Sequence, residues 1–384
     1  MIKRLFVDNY KCLVNFELPL QELSLLLGPS GVGKTSVLDI VYALRQLLSG
    51  DARVTDRDVF PTRTLTRWQS RTLQVFEIDV VLQSETYRYR LEVEHEKVKR
   101  TSRIRSERLE VDGNSLFEFV LSEVQLFRDD PDHGISKGPS YTTDWRESAL
   151  ARVFPGPSNK RLTRFLDYMG RILVCGIHPP GLLTDSTEES SMLWRDGRNF
   201  ADWFRHFHQE RPDLTEALRN ALVDVLDAGF RLVQLERVGH DARSLTLRFN
   251  DQESGDSRDG YPLRFDEISD GQRALIVLYG LITLGRYQGY TLFIDEPENY
   301  VALREIQPWL MCLHDVTREA FPQAVVSSHH PELIDYLGYE HGIMLHRETS
   351  GVITIGRPHN ARGSGEEASV GLKLSELVAR GWER

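Results

Sequence analysis

An α/β fold is predicted, with an antiparallel β lobe and a helical insertion between its two ends, and three observations carry the prediction. The apolar run Leu23–Leu27 ends at Gly28 and is followed by Val37, Val41, Leu44 and Leu48 at helical spacing. From Thr72 to about Val120 apolar residues instead alternate with period two. The last third returns to apolar helix, strand, helix, strand.

Taken in order, Ile2–Val7 and Val14–Leu18 read as strands around a short turn. Leu23–Leu27, broken only by Ser24, suits a strand buried on both faces. Ser36–Leu48 is the first helix and ends at Ser49-Gly50. Residues 51–71 are polar and arginine-rich, with Pro61 as a breaker. Thr72–Val81, Thr86–His95 and Arg103–Val111 are the antiparallel strands, with Asp112-Gly113 as a turn. Asp129–Asp144 and Pro155–Lys160 are expected to be loops. Asn199–Ala228 is expected to be one helix, with Phe200, Phe204, Phe207, Leu214, Leu218, Leu222 and Val225 near one face. The strands Arg231–Val238 and Ser244–Phe249 precede a loop, Asn250–Pro262. Ala274–Leu284 is a very apolar helix, and Leu372–Ala379 a final short one.

Composition narrows the function classes. In 384 residues, Lys+Arg 47 against Asp+Glu 57 gives a formal net charge of −10, which excludes a general cationic coat for nucleic acid but not a local basic strip. Apolar runs such as Ala274–Tyr279 fall far short of the roughly 20 residues that span a bilayer. Met1–Asp8 turns polar too early for a secretory signal. Cys12, Cys175 and Cys312 lie far apart with no CxxC pair, so a disulfide framework and a zinc knuckle are not expected and a reducing cytoplasm is.

Gly28-Pro29-Ser30-Gly31-Val32-Gly33-Lys34-Thr35 fits GxxxxGK[ST] between a strand and a helix, the context this phosphate-binding loop requires. Glycines let the backbone curl so that successive N–H groups point at phosphate oxygens, and the helix beginning at Ser36 adds its positive end. Lys34 would neutralise the β- and γ-phosphates of a nucleotide, and Thr35 would offer its hydroxyl to Mg²⁺. Thr291-Leu292-Phe293-Ile294-Asp295-Glu296 is an apolar strand ending in two acids, where a carboxylate meets solvent or a cation. Asp295 would hold Mg²⁺ through water, and Glu296 would polarise the attacking water as general base. Ser269 is placed as N-cap of the Ala274–Leu284 helix, with Gly271 allowing a phosphate close to free N–H groups. A further strand, Ala324–Ser328, ends in His329.

In this order the four pieces resemble the ATP-binding-cassette (ABC) ATPases. Within them they resemble the RecF/SMC branch and the related ATPases of overcoming-lysogenisation-defect (OLD) proteins. Walker A is Gly28–Thr35, the signature Ser269–Gln272, Walker B Leu292–Glu296 and the switch histidine His329; the run Asp295-Glu296-Pro297-Glu298-Asn299 is similar to the DEPE form of that branch. The resemblance implies ATP and Mg²⁺ as cofactors. Gly28, Ser30, Gly31, Gly33, Lys34, Thr35 and Ser36 would bind the nucleotide together with Lys11 of the basic turn Asn9-Tyr10-Lys11. Ser269, Gly271 and Gln272 would bind it from a second ATPase domain, most simply in a homodimer. Thr35 and Asp295 would serve the metal, and Glu296 and His329 catalysis. Departures are Asp270 in place of glycine, Ile268 in place of leucine, and Val301-Ala302-Leu303 where relatives have Leu-His-Pro. Gln69 and Gln83 are the candidates for the Q-loop glutamine.

The implied organisation is an ABC-type P-loop core from residues 1–50 and 262–360, a β lobe over 51–125, an α/β and helical insertion over 126–261, and a tail over 361–384 with a short helix. No sustained heptads means no coiled-coil arms, and the 55 residues after His329 are expected to leave no room for a Toprim-type nuclease. Any nuclease or other effector would be a separate chain, and DNA a further partner; no membrane is expected. Asp129-Asp130-Pro131-Asp132 reads as a solvated loop rather than a metal site. His206 and His208 are a poor chelating pair on a helix. Lys97, Lys99, Arg100, Arg103, Arg105 and Arg108, with Arg63, Arg67 and Arg71, form a basic strip, read first as solvated strand faces partnered by Glu96, Glu107 and Glu110. An ATP-hydrolysing switch in DNA repair or antiviral defence is the leading expectation, ahead of a non-catalytic ATP-dependent scaffold and a transporter nucleotide-binding subunit.

Overall fold

The computed structural model describes residues 1–130, 134–226, 229–250, 260–319, 321–357 and 373–379. Contacts group the chain into two units, one formed by Met1–Ile172 with the chain from Ile334, the other by Leu173–Leu333.

The first unit opens with β1 (Ile2–Asp8), β2 (Phe16–Pro19), β3 (Leu23–Leu27) and α1 (Lys34–Leu48). The strands β4 (Leu73–Leu82), β5 (Glu85–Glu96), β6 (Thr101–Val111), β7 (Asn114–Val120), β8 (Glu123–Asp130) and β9 (Gly134–Thr142) follow, then α2 (Lys160–Gly170). Eight strands make one antiparallel sheet in the order β2-β1-β4-β5-β6-β7-β8-β9. The alternation in β5 places Tyr87, Tyr89, Leu91, Val93 and His95 inside. Tyr87 and Tyr89 meet Phe165 of α2 with ring centroids 6.1 and 5.8 Å apart.

Several expectations are corrected in this unit. β1 and β2 pair within the lobe's sheet, β1 directly on β4, so the lobe does not begin at residue 51. The stretch expected to be a loop, Asp129–Asp144, contains β9, paired antiparallel to β8. β9 is the outermost strand and mostly exposed, and an edge strand tolerates Gly138 and Pro139 without an apolar alternation. Pro131 and Asp132 lie outside the described residues. Asp129 is not solvated: it is buried, and Arg161 donates to it from Nη1 at 2.7 Å and from its backbone N–H at 3.0 Å. Glu107, expected as a surface partner, is also buried. It accepts from Tyr89 Oη (2.8 Å), Ser148 Oγ (2.6 Å) and the N–H groups of Ala149 and Leu150, tying β6 to the segment behind it.

His95 is buried in the same sheet, with its Nε2 2.8 Å from Gln74 Oε1. Burial, then the nearby charge of Lys97, pushes the imidazole down from 6.5 to about 4. A depressed folded pKa means that the unfolded chain takes up the proton first, so stability should fall as pH drops from 6.5 towards about 4. Replacing it, as His95→Gln, should flatten that part of the stability–pH curve, measured by urea unfolding of both proteins across the interval.

The second unit contains β10 (Ile172–Cys175), β11 (Asp185–Ser186), α3 (Phe200–Glu210), α4 (Pro212–Val223), β12 (Phe230–Arg237), β13 (Arg243–Phe249) and β14 (Tyr261–Arg264). It continues with α5 (Asp270–Thr283), α6 (Gly285–Gln288), β15 (Thr291–Asp295), α7 (Leu303–Glu319) and β16 (Gln323–Ser327). β10, β15 and β16 are neighbours in that order, with β15 and β16 parallel. β11, β13 and β12 form a small sheet, and β14 adds to β13. Of the loop expected over Asn250–Pro262, residues 251–259 lie outside the described residues and Tyr261 already belongs to a strand. The single helix expected over Asn199–Ala228 is two. Proline has no N–H to donate and a fixed φ suited to a first helical position, so Pro212 ends one helix and starts the next. α5 is buried from Ala274 to Ile282, which explains its uniformly apolar sequence.

The chain returns through α8 (Pro331–His341) to β17 (Gly342–Arg347) and β18 (Ile353–Gly356). β17 pairs parallel with β3 and antiparallel with β18. A last helix, α9 (Leu374–Ala379), is anchored on α8, where Ser375 donates to Asp335 from N and Oγ, both at 2.8 Å. Among the described residues no helix is long and apolar enough to cross a membrane.

Candidate functional site

In the first unit the loop between β3 and α1 curls through three glycines at positive φ: Gly28 (136°), Gly31 (79°) and Gly33 (109°). Gly28 is also required sterically, since a Cβ there would lie 2.5 Å from the carbonyl oxygen of Leu345. A Cβ at Gly31 would stand in open space, so the cradle is not filled by protein. α1 starts at Lys34 with Gly33 as N-cap. Lys34 is buried, and its Nζ donates to the carbonyls of Gly28 (2.7 Å) and Pro29 (3.4 Å), across the mouth of the loop. Ser30 and Thr35 are exposed beside it, and Ser36 is buried in the first turn of α1. Curled backbone, helix start and lysine fit a polyphosphate.

Lys11, expected to approach the nucleotide, is ion-paired with Asp39 of α1 and lies 5.4 Å from the centre of the Tyr10 ring. Gln83 sits in the β4–β5 turn. The pairing of Ile2 with Val80 and Val7 with Phe76 puts it at the end of the sheet opposite Lys11. Gln69, the other Q-loop candidate, accepts from Arg71 Nε at 3.4 Å. Much of the basic strip is paired: Lys99 with Glu96 (3.0 Å), Arg103 with Glu94 (2.7 Å), Arg108 with Glu118 (3.6 Å) and Glu110 (3.8 Å), and Arg71 with Asp8. Lys97 donates to the carbonyls of Gln69 and Ser70, and Arg63 to that of Arg57.

In the second unit Ser269 caps α5 as expected. Its Oγ accepts from Gln272 N (3.2 Å), and Gln272 Oε1 accepts from Ser269 N (3.2 Å), a reciprocal capping box. Gly271 is held close to the chain that follows β15: a Cβ there would lie 2.9 Å from the carbonyl oxygen of Tyr300. Asp270, which stands where the family pattern has glycine, pairs with Arg273, whose Nη1 also donates to the Pro179 carbonyl at 2.9 Å.

β15 is buried over Thr291–Ile294 and reaches partial exposure at Asp295. Asp295 accepts from Ser327 Oγ at the end of β16. Glu296 follows with φ 46°, an uncommon conformation for a non-glycine residue, held by its N–H donating to the Ser327 carbonyl at 3.0 Å. Its carboxylate is gripped from both sides. Oε1 lies 3.2 Å from His329 Nδ1, and Oε2 accepts from Asn299 Nδ2 at 3.0 Å. Behind them Glu298 is buried and accepts from Ser328 Oγ (2.6 Å) and the His329 N–H (3.4 Å). Burial pushes the Glu298 carboxyl up, opposed by the Ser328 hydrogen bond. The turn 295–299 and the strand end 327–329 are thus fastened at five points, presenting one half-exposed carboxylate beside one imidazole. Such a pair can accept and relay a proton from water.

Ser327, Glu298, Asn299 and Asp39 were not singled out from the sequence. Asn299 and Glu298 lie inside the quoted acidic run; nothing in the sequence pattern marks Ser327 or Asp39. His206 and His208 instead lie against the rings of Phe207 and Phe204 on α3.

Comparison with known proteins gives two family matches. Residues 13–147 match the family described as "ABC transporter", and residues 175–335 the one described as "AAA domain, putative AbiEii toxin, Type IV TA system". The matches include much of the stretch 51–261, where the motifs alone are silent. A 38-residue segment is 50% identical to an OLD nuclease of Thermus scotoductus; it is 10% of this chain and spans 7% of that protein's length. Among solved structures, the SMC head domain from Thermotoga maritima aligns with 93% of this chain and 98% of that chain, at TM-score 0.46 and 13% identity.

Proposed function

We propose that this chain, an ABC-type P-loop ATPase of the RecF/SMC-like branch related to the OLD proteins, is a switch that closes on Mg-ATP and reopens on hydrolysis. The observation that carries the reading is Glu296, fixed between His329 and Asn299 at the end of a buried strand. Lys34 and the loop N–H groups bind the phosphates, and Thr35 and Asp295 would hold Mg²⁺, which when bound would lower the cost of charge building on the phosphates. Glu296 takes the proton of the attacking water. His329, hydrogen-bonded to it, orients that carboxylate. Ser269, Gly271 and Gln272 act on the nucleotide of a second copy, so the working unit is a homodimer.

The setting we propose is DNA repair or antiviral defence in the cytoplasm, with a separate nuclease or other effector chain. DNA would meet the lobe through exposed cations such as Arg100 and Arg105, which pair with no carboxylate among the described residues. Mg-ATP turnover with and without duplex DNA tests this, on protein purified with its neighbouring gene product. Turnover, and DNA binding that weakens with salt and on charge removal at these arginines, is expected. ATP binding without turnover would make the chain a scaffold, and no DNA binding at low salt with ATP would remove DNA from the reading.

A further inference from the structure

The strand that flanks the phosphate loop carries a cation for which the motifs have no role. β17 runs parallel to β3 in the register Gly342–Leu25, Ile343–Leu26, Met344–Leu27. β3 then stops and the phosphate loop begins, but β17 continues for three residues, about 10 Å at some 3.3 Å per residue. Leu345 presses its carbonyl on Gly28, which leaves Gly28 no room for a side chain. Two residues on, Arg347 reaches over the loop, and its Nη2 donates to the Gly31 carbonyl at 2.6 Å. The backbone there is set by the β17–β18 hairpin, with Arg347 opposite Ile353 and Glu348 N donating to Val352 O at 2.9 Å. Among the described residues no carboxylate pairs with Arg347, unlike Lys11 and most arginines of the lobe. Arg347 spends its hydrogen bond on a peptide carbonyl, with no carboxylate to neutralise it among the described residues.

We infer that Arg347 is a positioning residue for the nucleotide's phosphates. This rests on the phosphate-loop reading and adds to it. The hydrogen bond fixes the Gly31–Val32 peptide from its carbonyl side. The other side of that peptide is engaged as well, Val32 N donating to the Pro29 carbonyl at 3.4 Å, so the contact sets the shape of the loop. A guanidinium has five donors, and one is in use, so its charge also favours a polyanion at the loop mouth. The effect falls on ground-state binding of a multiply charged phosphate rather than on the chemical step, because the contact Arg347 makes is to the backbone of the phosphate loop.

The test compares the unaltered chain, Arg347→Gln and Arg347→Lys by calorimetric titration with Mg-ATP at low and high salt, and by steady-state turnover. Arg347→Gln should weaken Mg-ATP binding about tenfold, the scale of one charge-assisted hydrogen bond, and raise KM with kcat little changed. The deficit should shrink at high salt, and Arg347→Lys, which keeps the charge, should recover most of the affinity. A merely structural arginine would show equal losses in both variants, no salt dependence and a lower melting temperature without nucleotide; that pattern overturns the inference, as does unchanged affinity in Arg347→Gln. If the unaltered chain itself does not bind Mg-ATP, the phosphate-loop reading falls and this inference falls with it.

Discussion

Glu296→Gln should bind Mg-ATP as tightly as the unaltered chain and hydrolyse it about 10²–10⁴-fold more slowly, the usual contribution of a general base. The reason is local. Glutamine matches glutamate in shape, so the left-handed backbone at 296 and the N–H bond to Ser327 need not change. The amide can still accept from Asn299 Nδ2 through its oxygen. It cannot take a proton from water, and it removes the negative charge that His329 Nδ1 faces at 3.2 Å. Single-turnover hydrolysis with binding measured in parallel separates the two effects. A Glu296→Gln protein that turns over at the unaltered rate would mean that Glu296 is not the base.

Lys34→Ala should abolish measurable nucleotide binding, since it deletes a buried cation that spans the loop mouth. Ser269→Arg should leave the chain folded and its own phosphate loop intact but inactive. The substitution costs about 1 kcal/mol of helix capping and puts a bulky cation where a partner's nucleotide would approach. Mixing the two inactive proteins should restore part of the activity, because each mixed dimer keeps one intact loop facing one intact signature. Activity that stays absent in the mixture, with mixed dimers verified, would argue that each chain completes its own site or works with a different ATPase.

What could be read from the sequence follows from which constraints are local. The phosphate loop, the Ser269 cap and the Asp295-Glu296 strand end were legible because each depends on spacing within a dozen residues, and the structure has them on the expected elements. The break at Pro212 was equally local, yet a continuous apolar face on either side hid it. β9 was invisible for another reason: an exposed edge strand buries no face, so it imposes no alternation. The assignment of β1 and β2 to the lobe's sheet, the burial of Glu107, and the contacts of Ser327 and Arg347 all join residues far apart in the chain. No pattern along one segment encodes such pairings. The ion pair of Lys11 with Asp39 is of the same kind, linking two elements that no single segment pattern joins.

The proposed switch is tested most directly by sedimentation velocity of Glu296→Gln at micromolar concentration with and without saturating Mg-ATP. A slow-hydrolysing variant should hold the ATP-closed state, so monomer without nucleotide should become dimer with it. Return to monomer when Mg²⁺ is chelated would tie the closed form to the metal-bound nucleotide. A monomer that stays unchanged under saturating Mg-ATP would contradict the homodimeric switch and leave a partner ATPase chain as the source of the second face.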